Sequence, residues 1–578
     1  MRAFADLYRR LDSATSTRAK QAALAETFAA VRADPARAGS AAWMVYFLAG
    51  GKPRQTVPTK LLRRLAIEVS GLPEWLCEEC YHSVGDLAET LALLMPDSSG
   101  AEEVSLETWM RERLLPLPGL AEEERYARLK TWVAALPSDE RLVFFKLITG
   151  ELRVGVSRLQ VVKALAEVAG VEESRMAQRM IGYAQARRAP EAADFEALIG
   201  EVQHDEASAL DAGRAYPFYL AQSWQRPVAD MEATLGPPTD WIAEWKFDGI
   251  RAQLIRRGDG WRLWSRGEEL ISDAYPDLAP LALALPKNVA LDGELVVMAP
   301  PAGETDPHSL AGLAPFASLQ QRLGRKAISA KTLAELPVAF IAYDLLECDG
   351  RDIRAEPQRE RRTKLEALAS RLMAEAGAGG GRLPLRVSPE VKAPTWEAMD
   401  AIRLEARALG REGLMLKVRE GAYGVGRRKG SDRVDVWWKW KLDPMSVDAV
   451  LIYAQRGHGR RSGVYSDYTF GVWSAEEESA GRELVPFAKA YSGLSDTEMR
   501  EVDSIIRKTT VETFGPVRSV TPTQVFELGF EGIAFSKRHR SGVAVRFPRM
   551  LRWRRDKPVG EADTIATLRA LLPADGGG

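Results

Sequence analysis

Glu244-Trp245-Lys246-Phe247-Asp248-Gly249 closes an apolar run and opens a tight turn. A lysine ammonium, with an ordinary pKa near ~10.4, is not nucleophilic until neighbouring cations or desolvation disfavour its charge. Arg251 follows five residues after Lys246, and Glu244 lies two residues before it. On an extended strand, residues i and i+2 point the same way, so Glu244 can read a ligand from the face that carries Lys246. Taken alone, Lys-Phe-Asp-Gly reads first as a surface turn.

Six further segments follow in order. Ser265-Arg266-Gly267 closes a hairpin turned at Gly258-Asp259-Gly260. Leu291 to Val297 reads as a strand whose candidate site acid is Glu294, and Ala342-Tyr343-Asp344-Leu345 puts an aromatic on an apolar strand. Glu412-Gly413-Leu414-Met415-Leu416-Lys417 brings a second acid with a lysine, and Trp438-Lys439-Trp440-Lys441 two lysines on one strand face. The last is Arg546-Phe547-Pro548-Arg549-Met550-Leu551-Arg552-Trp553-Arg554-Arg555-Asp556-Lys557. Lys-x-Asp-Gly with an Arg soon after resembles the nucleotide-attachment motif of the covalent nucleotidyltransferases, namely DNA ligases, RNA ligases and mRNA capping enzymes. The whole ordered set resembles the ATP-dependent DNA ligases, in the bacterial-type three-domain form with an N-terminal helical DNA-binding domain.

That resemblance implies a chemistry and a cast of residues. Lys246 is the expected nucleophile, taking AMP from ATP and passing it to the 5′-phosphate of a nick, which the neighbouring 3′-hydroxyl then attacks. Glu244 is expected to accept from the adenine amino group, and Tyr343 to stack on the ring. Arg251 and Arg266 are expected to hold phosphate and ribose oxygens and to disfavour the lysine's charge. Glu294 and Glu412 are expected as paired acids that hold Mg²⁺, with Mn²⁺ as a substitute, or contact the ribose, Glu294 being counted with the ATP site. Lys417, Lys439 and Lys441 are expected to bring positive charge to the α-phosphate, and Arg555 and Lys557 to complete the ATP site from the last segment. Arg427, Arg428 and Lys429 sit in a Gly-rich loop as candidates for DNA or phosphate contact.

Bulk properties fit this frame without pointing to it. A chain of 578 residues is expected to hold about three domains. Net charge is −1, so a nucleic-acid surface has to come from charge segregation, and residues 537–557 carry nine Lys or Arg against one acid. Three cysteines exclude a disulfide framework and fit a reducing cytoplasm. Cys77 and Cys80, with His82 nearby, are too few for a structural zinc site and read as small helix residues. The longest apolar stretch, Ala41 to Ala49, is too short to cross a bilayer.

The patterning divides the chain. Residues 1–205 read as helix, with apolar residues recurring at three and four in Phe4-Leu7-Leu11, Leu87-Leu91-Leu94 and Leu159-Val162-Leu165. Within them, Val84-Gly85-Asp86-Leu87 and Phe145 to Ser157 resemble stretches of the ligase DNA-binding domain, which grips a duplex by its backbone and minor groove. Residues 206–442 read as an α+β nucleotidyltransferase (adenylation) domain, with strands such as Trp241 to Lys246 and Ala252 to Ile255 and a helix from Gln358 to Met373. The Gly/Ala-rich stretch Ala376 to Gly381 reads as a surface connection. Short β-like runs at Val447 to Tyr453, Tyr468 to Trp473, Gly532 to Ser536 and Val543 to Phe547 predict a C-terminal OB-type β-barrel over 443–570, followed by a disordered tail at 571–578. The expected protein is thus a cytoplasmic monomer acting on nicked duplex DNA in repair, replication or recombination, with a repair helicase or nuclease as partner.

Three rivals have weaker support. A capping enzyme or RNA ligase shares the lysine but not the helical domain or the full Arg-rich end. An NAD-dependent ligase needs a nicotinamide-reading domain and a four-cysteine zinc module. A non-catalytic DNA clamp does not need Lys246, Glu294, Glu412, Lys439 and Lys441 together.

Overall fold

The computed structural model describes all residues except 54, 97–102, 151, 153, 186–187, 201–212, 300–305, 324–327, 380, 427–435, 458–462, 476–480 and 573–578. Arg427, Arg428 and Lys429 therefore lie outside the described residues. The chain forms two compact units. The first holds residues 1–52, 104–110 and 152–442, and the second 53–103, 111–151 and 443–578.

Helices dominate as far as Ile199. Arg2–Ser13 buries Phe4, Leu7 and Leu11, as its spacing predicts. In Arg158–Ala169 the inward stripe is Val161, Val162 and Leu165, while Leu159 is exposed and does not belong to the core. In the second unit the two ligase-like stretches meet. Gly85, left-handed at φ 74°, ends Glu74–Val84, and Asp86 then caps the helix Leu87–Leu94 through the Glu89 N–H and pairs with Lys146. Lys146 is buried, so this cation holds the helices together rather than meeting solvent. Cys77 and Cys80 are half-buried, and the Cys77 thiol rests against the Leu72 carbonyl. Among the described residues no helix is long and apolar enough to cross a membrane.

Two antiparallel-rich sheets build the centre of the first unit. One runs in the order Gln222–Ser223, Trp438–Lys441, Gly413–Val418, Trp241–Trp245, Glu390–Val391. The other runs Gly260–Ser265, Ile250–Arg257, Val289–Val297, Val338–Cys348, Arg351–Asp352, with Leu385–Val387 parallel to Val338–Cys348. Gly258 at φ 57° lets the chain reverse between Arg257 and Gly260, which face each other across the hairpin. The helix Gln358–Ala378 packs on the second sheet. It runs through Ala376-Gly377-Ala378, which corrects the expected surface connection: alanine is the best helix former, and the helix ends only at Gly379.

In the second unit a seven-stranded sheet curls about the long strand Met445–Arg456. The first half of that strand pairs with Val525–Phe530, its second half with Val517–Val520, and its other edge with Tyr465–Trp473. The helix Asp496–Thr509 buries Met499, Val502 and Ile506 beneath it, as an OB-type barrel requires. Leu571 and Leu572 pack against this core, so the expected tail does not begin at 571.

Candidate active site

Strand register sets out the site. Leu414 lies opposite Trp245 and Trp440, Met415 opposite Glu244 and Lys439, and Gly413 opposite Lys441. Alternation then places Glu244, Lys246, Met415, Lys417, Lys439 and Lys441 on one face. On the other face Trp241, Ala243, Leu414, Leu416, Trp438 and Trp440 join Trp224, Met231, Leu235, Trp396 and Met399 in a core. Each fully buried large apolar side chain there stabilises the sheet by about 1.5–3 kcal/mol. The tryptophans between the lysines thus anchor the strand that presents them.

Lys246 follows the last residue of its strand and is pinned by reciprocal backbone bonds. Its N–H donates to the Gly413 carbonyl at 2.8 Å, and its carbonyl accepts from the Glu412 N–H at 2.9 Å. This register sets the Lys246 ammonium against the Glu412 carboxylate as an ion pair, and Lys441 Nζ lies 3.5 Å from the same oxygen. Gly413, at φ 128°, admits the close approach: a Cβ there would lie 2.3 Å from the Trp440 carbonyl oxygen. Gly249 does the same for the other sheet, since a Cβ would fall 2.4 Å from the Leu295 carbonyl oxygen and 2.7 Å from Glu294 Cγ. The turn after Lys246 is therefore wedged against the strand that carries Glu294.

Glu294 lies opposite Arg251 in register and is half-buried. Burial pushes its carboxyl up to about 8; Lys246 and Arg251 pull it down, while Asp292 and Glu412 push it further up. Glu294, from a distant segment, thus feels the charges of both Lys246 and Glu412.

Arg251 departs from expectation. Its guanidinium clasps Asp292 with Nε at 3.2 Å and Nη2 at 2.7 Å, and Nη1 donates to the Tyr219 carbonyl at 2.6 Å. Tyr423 Oη donates to Asp292 at 2.7 Å. The charge of Arg251 is neutralised by a fully buried carboxylate, so like-charge activation of Lys246 by Arg251 is not what the geometry offers. Asp292 is the residue missed here: its strand carries two acids, one structural and one facing the lysine. Arg266 is exposed, at the end of the hairpin, with its N–H on the Arg251 carbonyl.

Lys417 also departs. Its ammonium is buried, 2.5 Å from Glu244 Oε2, and donates to the Tyr343 carbonyl at 3.0 Å. It belongs to the Glu244 end of the face rather than to a phosphate. Tyr343 is half-buried at a β-bulge, where Asp292 opposes Asp344 and Gly293 opposes Ala342. Lys417 Nζ is 4.5 Å from its ring and the Arg251 guanidinium 5.8 Å. Lys439 is half-buried beside Met415. Arg362, not singled out by the sequence, donates to Glu244 Oε1 at 2.7 Å. Its signal was a helical stripe of Gln358, Arg361, Arg362, Leu365 and Ala369 in which arginines take core positions.

Arg555 and Lys557 belong to the second unit. Arg555 lies 3.9 Å over the Trp553 ring and pairs with Glu501, and Lys557 donates to Asp448 at 2.8 Å.

Three family models match the chain in order. The DNA ligase N terminus family is matched over residues 1–166, the ATP dependent DNA ligase domain over 219–441 and the ATP dependent DNA ligase C terminal region over 461–557. A protein named probable DNA ligase from Koribacter versatilis is 33% identical, over 96% of this chain and 93% of its own length. The chain belongs to the ATP-dependent DNA ligase family. Such ligases use ATP to seal nicks in DNA through a covalent AMP intermediate. A second relative, named probable DNA ligase from Sorangium cellulosum, is 31% identical over 78% of this chain and 77% of its own. The solved structure named Pmar-Lig_PreS3 has a TM-score of 0.56 at 15% identity, covering 95% of this chain and 99% of its own, a likeness of fold.

Proposed function

We propose that Lys246 is the residue that carries AMP in this ligase. The observation that carries the reading is the Lys246–Glu412 ion pair, fixed by reciprocal backbone bonds beside Glu294. Lys246 Nζ forms a bond to the α-phosphorus of ATP as the bond to pyrophosphate breaks. Glu412 Oε2, already on the ammonium, is the atom placed to take the proton that the amine gives up before it attacks. An oxygen of the 5′-phosphate at a nick then displaces the lysine from the AMP phosphorus. The 3′-hydroxyl attacks that 5′-phosphate and AMP leaves, with positioning and charge neutralisation supplying most of the rate.

Glu244 accepts from the adenine amino group and Tyr343 offers its ring, turned by the bulge, for stacking. Lys439 and Lys441 bring charge to the α-phosphate, and Arg266, exposed at its hairpin end, reaches ribose or phosphate. Glu294 and Glu412 suit Mg²⁺, or Mn²⁺, because such an ion is held by one or two carboxylates together with substrate phosphates, and a half-buried carboxyl raised to about 8 gains from a nearby cation. The chemistry that the ion supplies there is neutralisation of phosphate charge. Residues 1–205, 206–442 and 443–570 serve as DNA-binding, adenylation and barrel domains. The ligase acts as a cytoplasmic monomer on nicked duplex DNA in repair, replication or recombination, beside a helicase or nuclease.

Incubation with α-labelled ATP and Mg²⁺ followed by a denaturing gel tests the chemistry. A labelled chain with ATP and none with GTP is expected; a chain that seals nicks yet never takes label would overturn the reading.

A further inference from the structure

Arg361 and Arg362 stand at the end of the first turn and the start of the second in Gln358–Ala378, near the positive end of the helix dipole, and both are buried. Arg361 has a purely structural partner, the fully buried Asp344, held by Nε at 2.8 Å and Nη2 at 3.0 Å. Arg362 is different. Its Nη1 donates to Glu244 Oε1 at 2.7 Å, its Nη2 to the Ser388 carbonyl at 2.7 Å and its Nε to Glu366 at 2.8 Å. The other oxygen of Glu244 is 2.5 Å from Lys417 Nζ, itself fixed on the Tyr343 carbonyl. One buried carboxylate thus has a cation on each oxygen. Each oxygen keeps a further lone pair, since a carboxylate has about four acceptor sites.

We propose that Arg362, with Lys417, determines which nucleobase the ligase accepts, by holding the Glu244 carboxylate in one orientation as an acceptor. A 6-amino group donates to a remaining lone pair of such a carboxylate, whereas a 6-keto oxygen sets acceptor against acceptor with no proton between them. With one cation removed, the carboxylate loses one of the two contacts that fix its plane and turns out of line with the 6-amino group, so the preference falls. The hydroxyl of Ser388, the residue whose carbonyl Arg362 fixes, is fully buried and has no hydrogen-bond partner among the described residues, a second mark of a place that awaits a polar ligand. The proposal rests on Glu244 as the adenine-reading residue.

The test compares ATP with inosine triphosphate, whose base has a 6-keto oxygen in place of the 6-amino group and carries a proton on N1, in the second-order rate of covalent labelling of the full chain. Glu244→Ala and Arg362→Gln are each expected to lower the ATP preference at least tenfold, while Arg362→Lys, which keeps the cation, stays near the parent ratio. A purely structural Arg362 would slow both nucleotides alike and leave the ratio unmoved. A ratio that falls in Glu244→Ala but holds in folded Arg362→Gln overturns the proposal while sparing the reading of Glu244; a ratio unmoved in Glu244→Ala overturns both. Should Arg362→Gln not fold, Lys417→Met removes the other cation and must produce the same fall.

Discussion

At the scale of single residues, the site is a set of charges held in unequal company. Arg251 and Lys417 are paired with buried acids, whereas Glu294 stays short of compensating charge, and burial raises its carboxyl to about 8. A carboxyl raised above its unfolded value stabilises the fold in its protonated form. That contribution is present below roughly pH 4.5 and is lost as pH rises towards about 8. Glu294→Gln is therefore expected to match the parent in thermal stability near pH 5 and to exceed it at pH 8.5, by on the order of 1–3 kcal/mol after screening at a half-buried site. Melting curves at the two values check this, and a variant less stable than the parent at pH 8.5 would count against a strained carboxyl. The sequence showed Glu294 and Glu412 as a pair but could not show that Asp292 neutralises Arg251. Strand alternation says which face a side chain takes, not which neighbour claims its charge.

At the scale of elements, function rests on packing one residue away from the chemistry. Trp440 lies between Lys439 and Lys441 with its ring on the opposite face, against Trp396 at 6.2 Å and under the Arg403 guanidinium at 4.8 Å. Trp440→Ala should cost about 3–5 kcal/mol in denaturant unfolding. It should also slow self-adenylation, because the strand that presents the two lysines loses its anchor. An unchanged rate in a protein destabilised by that amount would separate the core from the site. The Arg-rich final segment is a different case. Arg555 and Lys557 are held by Glu501 and Asp448 within their own unit, so action on ATP requires them to exchange those partners for phosphate. The double variant Arg555→Ala, Lys557→Ala is expected to lose most adenylation from ATP yet seal a nick supplied already adenylated, and equal loss on both substrates would assign the pair to DNA or to the fold. The legible elements were those with strong period, such as Arg2–Ser13 and Trp241–Trp245. The strands Leu484–Ala490 and Val525–Phe530 went unread because glycine, proline and charge break their alternation.

At the scale of the whole molecule, a net charge of −1 must be reconciled with a polyanionic substrate. Cations are segregated, most densely over residues 537–557, so nick binding should release counterions and depend steeply on salt, while self-adenylation, which engages a small nucleotide rather than a duplex, should depend on it far less. Sealing at sub-saturating nicked DNA is expected to fall by about tenfold or more between 50 and 200 mM salt, with the rate of labelling by ATP nearly flat. Parallel loss of both would mean that salt acts on the enzyme and not on its hold on DNA. The first unit also joins its helical part to the hairpin of Arg266: Arg158 pairs with Glu268, and Gly182, at φ 73°, lets the chain lie against Trp264. That junction could not be read from sequence, since it depends on residues about 80 to 110 positions apart that carry no shared motif.

The most direct measurement is to label the intact protein with ATP, digest it and locate the AMP adduct by mass spectrometry. All AMP is expected on Lys246, and Lys246→Ala should fold normally and take none. AMP on Lys417, Lys439 or Lys441, or undiminished labelling of Lys246→Ala, would contradict the central claim.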